Sequence, residues 1–226
     1  MSENNHHSYI RRRGRITKAQ QEGLDQLPAY RSAPQAWAAS EPAVKRGMEI
    51  GFGMGDALLS WAQAEPEARL LGIELYQPGL GALVHRVFKE GIENVTVIDT
   101  AAQEVVAELP DECLDEVRIF FPDPWPKKRH FKRRLIQLPF VQDLARAVKP
   151  GGIVHLATDW TPYAEWMLEV IAECEDWQLD TNRVRASAEL SSVKRDSTKF
   201  ERRGERLGHE IHDLIYRKAQ SGEPNS

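Results

Sequence analysis

The chain has 226 residues, of which 41% are hydrophobic and 28% are charged, and its formal net charge is −4. This length and composition suit one globular domain with a sizeable core. No apolar run approaches the roughly 20 residues of a membrane-spanning helix, and the first residues lack the apolar segment of a secretory signal. The two cysteines, Cys113 and Cys174, match no metal or redox spacing, which favours reduced thiols in the cytoplasm.

The small net charge conceals a segregation of acidic and basic residues along the chain. Between Glu65 and Glu116 there are 12 acidic and 3 basic residues. Basic residues concentrate instead in three segments, Arg11–Lys18, Lys127–Arg134 and Lys194–Arg206. A solvated charged face would explain any one of these segments, but three of them in an acidic chain favour a polyanionic partner.

Strands and amphipathic helices are predicted to alternate from Met48 onward. Residues 1–30 are predicted to form a basic arm, which need not be ordered on its own and which contains a short helix near Lys18–Asp25. Residues 31–226 are predicted to form one domain. The expected strands are Met48–Gly51, Arg69–Glu74, Val95–Asp99, Glu116–Phe121, Ile153–Ala157 and His209–Arg217, and the expected helices are Asp56–Ala64, Pro78–Glu90, Ala101–Leu109, Pro139–Val148 and Pro162–Cys174. This alternation indicates a parallel sheet with helices on both faces, with the ligand beyond the carboxyl ends of the strands.

A glycine-rich loop, Glu49-Ile50-Gly51-Phe52-Gly53-Met54-Gly55, follows the first strand. Glycines let the backbone turn tightly and approach a ligand closely, although a tight turn with no other role would need them too. The dinucleotide pattern G-x-G-x-x-G would require glycine at position 56, which is Asp56. Glu74 ends the second strand, where an acid can accept hydrogen bonds from both ribose hydroxyls. Together these residues favour a nucleoside cofactor without a pyrophosphate, for which S-adenosylmethionine is the leading candidate.

The second unusual segment is Pro122-Asp123-Pro124-Trp125-Pro126, directly after a buried strand. Each proline fixes its own φ and favours extended geometry for the preceding residue, so a stiff, non-helical loop is predicted. A turn stabilised by its own side chain is the alternative role for Asp123. Trp125 is compatible with core packing and with stacking on a base. Six of the eight residues of Lys127–Arg134 are Lys or Arg.

Several segments, taken in order, resemble the bacterial tRNA (guanine-N7-)-methyltransferase family: EIGFGMG, GIE, FFPDPWPKKRHFKRR, KPGG, TDW and TKFERRG. The resemblance covers nearly the whole chain, including YIRRRGR in the arm. It implies an α/β, Rossmann-like class I methyltransferase fold, a seven-stranded, mostly parallel sheet with an antiparallel last strand and helices on both faces. It also implies transfer of the methyl group of S-adenosyl-L-methionine to N7 of guanine 46 in the variable loop of tRNA.

The resemblance further implies a role for individual positions, with Asp123 as the catalytic residue. The implied cofactor contacts are Glu49, Gly51, Gly53, Gly55, Glu74, Asp99, Ala101 and Asp123. The implied substrate-binding residues are Lys127, Asp159, Thr198, Lys199, Phe200 and Glu201. The positive charge of the segment after Asp123 separately predicts RNA contacts at Arg129, His130, Phe131, Lys132, Arg133 and Arg134. One position departs from the family, because Ala101 stands where an acid usually meets the adenine amino group. Asp99 or backbone groups would have to replace that contact.

The chemistry of guanine N7 explains why a carboxylate suits this position. N7 carries an in-plane lone pair and no proton, so it can attack a sulfonium methyl without a strong base. The enzyme must instead hold N7 and the methyl carbon aligned, about 3–3.5 Å apart, and oppose the positive charge that develops on the ring. Asp123 is predicted to do this by accepting hydrogen bonds from N1–H and the exocyclic amine, with Asp159 assisting. The cations of Lys127–Arg134 are predicted to grip the RNA backbone beside the pocket.

Other functions remain open at this point. A methyltransferase acting on a small molecule or a protein would share the glycine loop and Glu74 but would leave the basic segments unexplained. A non-catalytic RNA-binding domain would not need Glu49, Glu74 and Asp123 together. The Pro-Asp-Pro-Trp element is also similar to the motif of amino-methylating enzymes, so adenine or an exocyclic nitrogen is a further alternative. Both a monomer and a homodimer are compatible with the sequence.

Histidine and tryptophan residues give two smaller expectations. His209 and His212, three residues apart in a predicted strand, should fall on opposite faces, so no metal site is expected. Trp160, Trp166 and Trp177 are expected to pack in or near the core.

Overall fold

A computed structural model describes residues 15–39, 44–186 and 210–220. The strands are β1 (Arg46–Ile50), β2 (Arg69–Ile73), β3 (Val95–Ile98), β4 (Leu114–Phe120), β5 (Val148–Thr158), β6 (Trp177–Ala186) and β7 (Glu210–Lys218). The helices are α1 (Lys18–Tyr30), α2 (Pro34–Ala39), α3 (Asp56–Ala64), α4 (Gln77–Glu90), α5 (Ala102–Glu108), α6 (Leu138–Ala147) and α7 (Thr161–Ala172), and a 3₁₀ helix spans Lys128–Arg133. None of the helices in these ranges is long and apolar enough to cross a bilayer.

The strands form one seven-stranded sheet in the order β3-β2-β1-β4-β5-β7-β6. Strands β1 to β5 run parallel to their neighbours, and β7 is antiparallel to both β5 and β6. The predicted sheet is therefore confirmed. The strand order reverses between β1 and β4, whose pairing includes Ile50 opposite Ile119. A ligand site is expected beyond the carboxyl ends of these two strands.

Both faces of the sheet are covered, which is why β1 is buried at every position. On one face, Met48, Ile50 and Val117 pack with side chains of α5, α6 and α7. On the other face, Leu70 and Val97 pack with side chains of α1, α3 and α4. Burial on both faces keeps these strands rigid, so their carboxyl ends give a fixed frame for the loops that follow.

Helix α1 is longer than predicted and is part of the folded domain. It begins with a capping box, in which Thr17 Oγ1 accepts the N–H of Gln20 and the Gln20 side chain accepts the N–H of Thr17. It crosses α4 where Gly23 meets Gly81, since a Cβ on Gly23 would lie 2.0 Å from the carbonyl oxygen of Gly81. The sequence placed the end of the arm at residue 30, whereas the structure already includes this helix in the core through Leu27.

Strand β6 was not predicted. It lies at the edge of the sheet, and Gln178, Asp180, Asn182 and Arg183 are exposed, so the segment lacks a clear apolar alternation. The ladder between β6 and β7 ends at the pair Ala186 and Glu210. This pair lies at the same end of the sheet as the carboxyl end of β5, where Thr158 pairs with His212.

Candidate active site

The glycine loop after β1 is open on one side. Gly51 and Gly53 have φ values of +73° and +57°, and a Cβ on either residue would meet no atom of the described residues within 4 Å. Gly55, at φ +80°, caps α3, and a Cβ there would lie 2.7 Å from Leu83. The first two glycines thus leave backbone accessible to a ligand, and the third permits close packing against α4.

Glu74 follows β2 and holds the glycine loop in place. Its Oε2 accepts the N–H of Gly53 at 2.8 Å, and its Oε1 accepts the N–H groups of Leu75 at 2.7 Å and Tyr76 at 3.0 Å. A carboxylate has about four acceptor sites, so one remains for a further donor. Burial raises the pKa of Glu74, and the negative charge of Asp123 raises it further.

Two further charged residues lie near the same loop, Glu49 in the strand before it and Arg86 in α4. Glu49 lies on β1 and is only 3% exposed, beside Gly72 of β2 and Arg118 of β4 in the strand register. Arg86, on α4, donates to the carbonyl oxygen of Met54 and pairs with Asp56 at 2.7 Å. Arg86 was not singled out from the sequence, because a lone arginine on an amphipathic helix gives no sign of its partner.

Asp123 lies in the loop after β4, at the carboxyl edge of the sheet. The segment 122–126 has no regular secondary structure, as predicted, and Asp123 is exposed. The expectation of extended geometry before each proline is wrong at two positions, since Phe121 has φ +52° and Trp125 has φ +41°. Such left-handed geometry costs a non-glycine residue about 1–3 kcal/mol and occurs often at functional sites.

Electrostatic effects relate Asp123 to two other elements. Its charge adds to the burial that raises the pKa of Glu74 after β2. The pKa of Tyr163, a fully buried residue of α7, is also raised, first by burial and in smaller part by Asp123. Asp123 therefore lies within electrostatic range of Glu74, after β2, and of Tyr163, in α7.

The basic segment after Asp123 forms the 3₁₀ helix Lys128–Arg133. Lys127, Lys128, Arg129 and Lys132 are exposed, which suits contact with a polyanion. The guanidinium of Arg133 lies 5.0 Å from the ring centroid of Trp125, and the His130 ring meets the same tryptophan edge-on at 5.7 Å. Trp125 is half-buried against these side chains and is not part of the apolar core clusters.

Arg134 is buried, unlike the exposed cations of this segment. Its position does not fit the RNA contact that was expected of it. It is 2% exposed, and its Nε donates to the carbonyl oxygen of Pro124 at 2.9 Å. Burial lowers its pKa. In this conformation its guanidinium is inside the protein, so a phosphate group cannot reach it.

The end of β5 brings Asp159 and Trp160 to the same edge. Asp159 is half-buried, and the N–H of Trp160 donates to Thr158 Oγ1 at 3.2 Å. Trp166 and Trp177 contact the core as expected, but Trp160 is 41% exposed. The expectation of a packed Trp160 is therefore wrong.

Asp99, which was predicted to lie at the adenine end of the site, has an ion-pair partner that the sequence did not predict. Asp99, after β3, forms an ion pair with Arg31. The backbone of Arg31 also forms an isolated parallel β-bridge with Val97 of β3. Ala101 is 7% exposed and is the N-cap of α5, without a side-chain cap. The acid that was expected to replace the missing contact at position 101 is thus already paired with a cation from the N-terminal segment.

Some predicted residues lie outside the described ranges. These are the arm segment 9–14, His209, and the predicted substrate contacts Thr198, Lys199, Phe200 and Glu201. His212, in β7, is hydrogen-bonded to Thr161 at 3.0 Å. Among the residues that the structure describes, no group of three or more His, Cys, Asp or Glu side chains is placed to hold a metal ion.

Comparison with known proteins gives close relatives in sequence. A family model described as "Putative methyltransferase" matches residues 44–214. The tRNA (guanine-N(7)-)-methyltransferase of Pseudomonas putida (strain W619) is 46% identical over 222 residues, which cover 93% of this chain and 90% of that protein. The tRNA (guanine-N(7)-)-methyltransferase of Nitrosococcus oceani is 47% identical over 219 residues, covering 94% of this chain and 90% of that protein.

Solved structures of lower sequence identity share the fold. The 16S rRNA methyltransferase KamB has a TM-score of 0.59 at 16% identity, covering 93% of this chain and 98% of that chain. A 16S rRNA (adenine(1408)-N(1))-methyltransferase from Catenulisporales acidiphilia, solved with its cosubstrate SAM, has a TM-score of 0.58 at 18% identity, covering 85% of this chain and 94% of that chain. These similarities confirm the class I methyltransferase fold.

Proposed function

Since this chain belongs to the tRNA (guanine-N(7)-)-methyltransferase family, we propose that it transfers the methyl group of S-adenosyl-L-methionine to N7 of guanine 46 in the variable loop of tRNA. The observation that carries the proposal is the convergence of three features at one sheet edge. These are the open glycine loop held by Glu74, the acid Asp123 and the exposed basic helix Lys128–Arg133. A tRNA substrate also implies that the protein works in the cytoplasm.

The residues at the ends of β1 and β2 fit S-adenosyl-L-methionine. Gly51 and Gly53 offer backbone that no side chain of the described residues covers, and Glu74 keeps one acceptor site for a ribose hydroxyl. Three backbone N–H groups fix the Glu74 carboxylate, so it loses little freedom when it binds a ligand. Glu49, at the base of the loop, is the second acid proposed to contact the cofactor. When bound, the cofactor supplies an electrophilic methyl group on a sulfonium.

Asp123 is proposed to orient the guanine. Its carboxylate can accept hydrogen bonds from N1–H and the exocyclic amine, on the side of the base away from N7. Its negative charge opposes the positive charge that the ring gains as N7 attacks, and such preorganised stabilisation is commonly worth several kcal/mol. Because N7 has no proton to lose, no group in the site has to act as a strong base.

The remaining substrate contacts are proposed at the same edge of the sheet as Asp123. Lys127 follows Asp123 in the loop after β4, and Asp159 follows the neighbouring strand β5. The exposed cations of the 3₁₀ helix are proposed to bind phosphates of the folded tRNA, which positions the base without specifying it. Ala186, at the end of β6, pairs with Glu210 of β7, two residues before His212, which pairs with Thr158 at the end of β5. That topology supports a role in substrate binding for Thr198, Lys199, Phe200 and Glu201.

Methylation in vitro tests the proposed function directly. Purified protein, S-adenosyl-L-methionine carrying a labelled methyl group and tRNA lacking the modification should give labelled 7-methylguanosine at position 46. A tRNA with guanine 46 replaced by adenine is the matched control and should not be labelled at that position. Label on adenine, on an exocyclic nitrogen or at another guanine would contradict the proposal.

A further inference from the structure

Arg134 is the buried member of the basic segment that follows Asp123. Its Nε donates to the carbonyl oxygen of Pro124 at 2.9 Å, and its exposed fraction is 2%. Its guanidinium lies 3.7 Å from the ring centroid of Phe131, 5.0 Å from that of Tyr163 and 5.1 Å from that of Trp166. The planar cation is therefore surrounded by aromatic rings while it bonds the residue that follows Asp123.

The aromatic rings around Arg134 are themselves fixed. Tyr163 is completely buried in α7, and its hydroxyl accepts the N–H of Ile136 at 3.4 Å. Trp166, one turn further along α7, donates its Nε1–H to the carbonyl oxygen of Ile136 at 2.8 Å. Arg134 consequently connects the loop of Asp123 to a helix that is anchored in the core.

The loop needs such a connection because of its backbone geometry. Asp123 and Pro124 lie between Phe121 and Trp125, which both have positive φ. Non-glycine residues keep this geometry only where the surrounding structure fixes it. The hydrogen bond from Arg134 holds the carbonyl oxygen in the middle of this strained segment.

We propose that Arg134 is a positioning residue, which holds Asp123 in place for methyl transfer by fixing the Pro124 carbonyl and does not bind the RNA backbone. The inference rests on the proposed function, since it concerns the residue that is proposed to orient guanine. It divides the basic segment into exposed cations that bind RNA and one internal cation that shapes the site. A guanidinium can stack on rings and donate in its own plane at once, which an ammonium group cannot do.

The substitution Arg134→Lys separates the two roles, because it keeps the charge and removes the planar donor. We expect its kcat to fall about 10- to 100-fold, as for a displaced catalytic group. The KM for tRNA, the salt dependence of tRNA binding and the affinity for S-adenosyl-L-methionine should stay close to those of the wild type. The comparison variant is Lys132→Gln, an exposed position of the 3₁₀ helix that precedes Arg134, which should raise KM and lower the log–log salt slope by about 0.7–0.9.

Two results would overturn the inference. One is a wild-type kcat for Arg134→Lys, which would show that charge alone suffices. The other is a reduction of the salt slope by Arg134→Gln equal to that of Lys132→Gln, which would make Arg134 a phosphate contact.

A milder variant decides the matter if the substitutions at Arg134 do not fold. Phe131→Leu keeps every charge and removes the nearest ring beside the guanidinium. The inference predicts a lower kcat for it with an unchanged salt slope, and a wild-type kcat would contradict this. Failure of the proposed function would appear as a wild-type protein that does not methylate tRNA, whereas failure of this inference appears only among variants of an active protein.

Discussion

The carboxylate of Glu74 accepts the backbone N–H of Gly53 at 2.8 Å, so the acid proposed to bind the cofactor ribose also fixes the glycine loop. Its second oxygen accepts the N–H groups of Leu75 and Tyr76. The loop after β1 and the loop after β2 are therefore joined by one side chain. A change at Glu74 should affect both the stability of the protein and its affinity for the cofactor.

Glu74→Gln tests this double role. The amide keeps one acceptor oxygen, so at least one of the three N–H groups loses its partner, which costs about 1–3 kcal/mol in the free energy of unfolding. The affinity for S-adenosyl-L-methionine should fall about tenfold or more, which corresponds to about 1.4 kcal/mol. Denaturant unfolding and isothermal titration calorimetry measure the two effects. Glu169→Gln, an exposed glutamate of α7, should change neither, and a fully stable Glu74→Gln protein would contradict the structure.

The raised pKa of Glu74 makes cofactor binding depend on pH. Between the ordinary value of 4.5 and the raised value, the carboxyl group is protonated in the folded protein, so it accepts from the ribose less well. Cofactor affinity should therefore fall as the pH is lowered into this range. Binding there should release a proton, which calorimetry in buffers of different ionisation enthalpy detects. The pH dependence should be smaller in Glu74→Gln.

The same shift affects stability with the opposite sign. The folded state binds more protons than the unfolded state at a group whose folded pKa is raised. The stabilisation that comes from this difference in pKa is thus fully present below pH 4.5 and is lost as the pH rises through the folded pKa. The difference in unfolding free energy between wild type and Glu74→Gln, measured over this range, should follow that direction. A difference that grows with pH would contradict the assigned shift.

Sequence patterns sufficed for six of the seven strands and for the placement of acids and glycines at the strand ends. Glycine and a carboxylate at a strand exit have few structural roles, so Gly53 and Glu74 could be named as candidates before the fold was known. Their mutual hydrogen bond could not, because it joins residues 21 positions apart through the turn geometry. The edge strand β6 was missed because its exposed polar residues interrupt the apolar alternation.

Arg134 shows why a run of like residues is hard to resolve from sequence. In KKRHFKRR the neighbouring residues do not distinguish one cation from another. Arg134 is buried because Tyr163 and Trp166 of α7 pack beside its guanidinium. The pairing of Arg31 with Asp99 is another contact that depends on tertiary structure alone. The positive φ of Trp125 contradicts the local preference before proline, and such local conflicts occur where function sets the geometry.

Asp123→Asn tests the proposed catalytic residue. The amide has nearly the same shape but carries no charge and presents a donor to the guanine, so kcat should fall about 10²- to 10³-fold. S-adenosyl-L-methionine should still bind, because the glycine loop and Glu74 are unchanged. Single-turnover methylation and calorimetry measure the two quantities. Asp143→Asn, on α6, is the matched control, and a wild-type rate for folded, cofactor-binding Asp123→Asn would disprove the assignment.

The exposed cations of the 3₁₀ helix should control the salt dependence of tRNA binding. Each phosphate contact contributes about 0.7–0.9 to the slope of log affinity against log salt concentration. Replacing both Lys128 and Lys132 with glutamine should therefore lower the slope by about 1.4–1.8 if each contacts one phosphate. Filter binding from low to moderate salt measures it. An unchanged slope would place the tRNA on another surface.

Ala101 gives a test of the cofactor's adenine end. It is the N-cap of α5 and lacks a side-chain cap, and its carbonyl oxygen already accepts the N–H of Val105 at 3.1 Å. Ala101→Asp should cap the helix and raise the free energy of unfolding by about 0.5–2 kcal/mol. The new carboxylate should also accept from the adenine amino group, so the affinity for S-adenosyl-L-methionine should rise. Thermal unfolding and calorimetry check both outcomes.

The matched control for Ala101→Asp is the same substitution at Ala107, an exposed position in the last turn of α5. There the carboxylate opposes the helix dipole and lowers helix propensity, so stability should fall by a few tenths of a kcal/mol to about 1 kcal/mol, with cofactor affinity unchanged. If Ala101→Asp stabilised the protein without strengthening cofactor binding, the adenine would lie away from α5. In that case the Arg31–Asp99 ion pair would lie at the border of the site, and Asp99 would not contact the adenine.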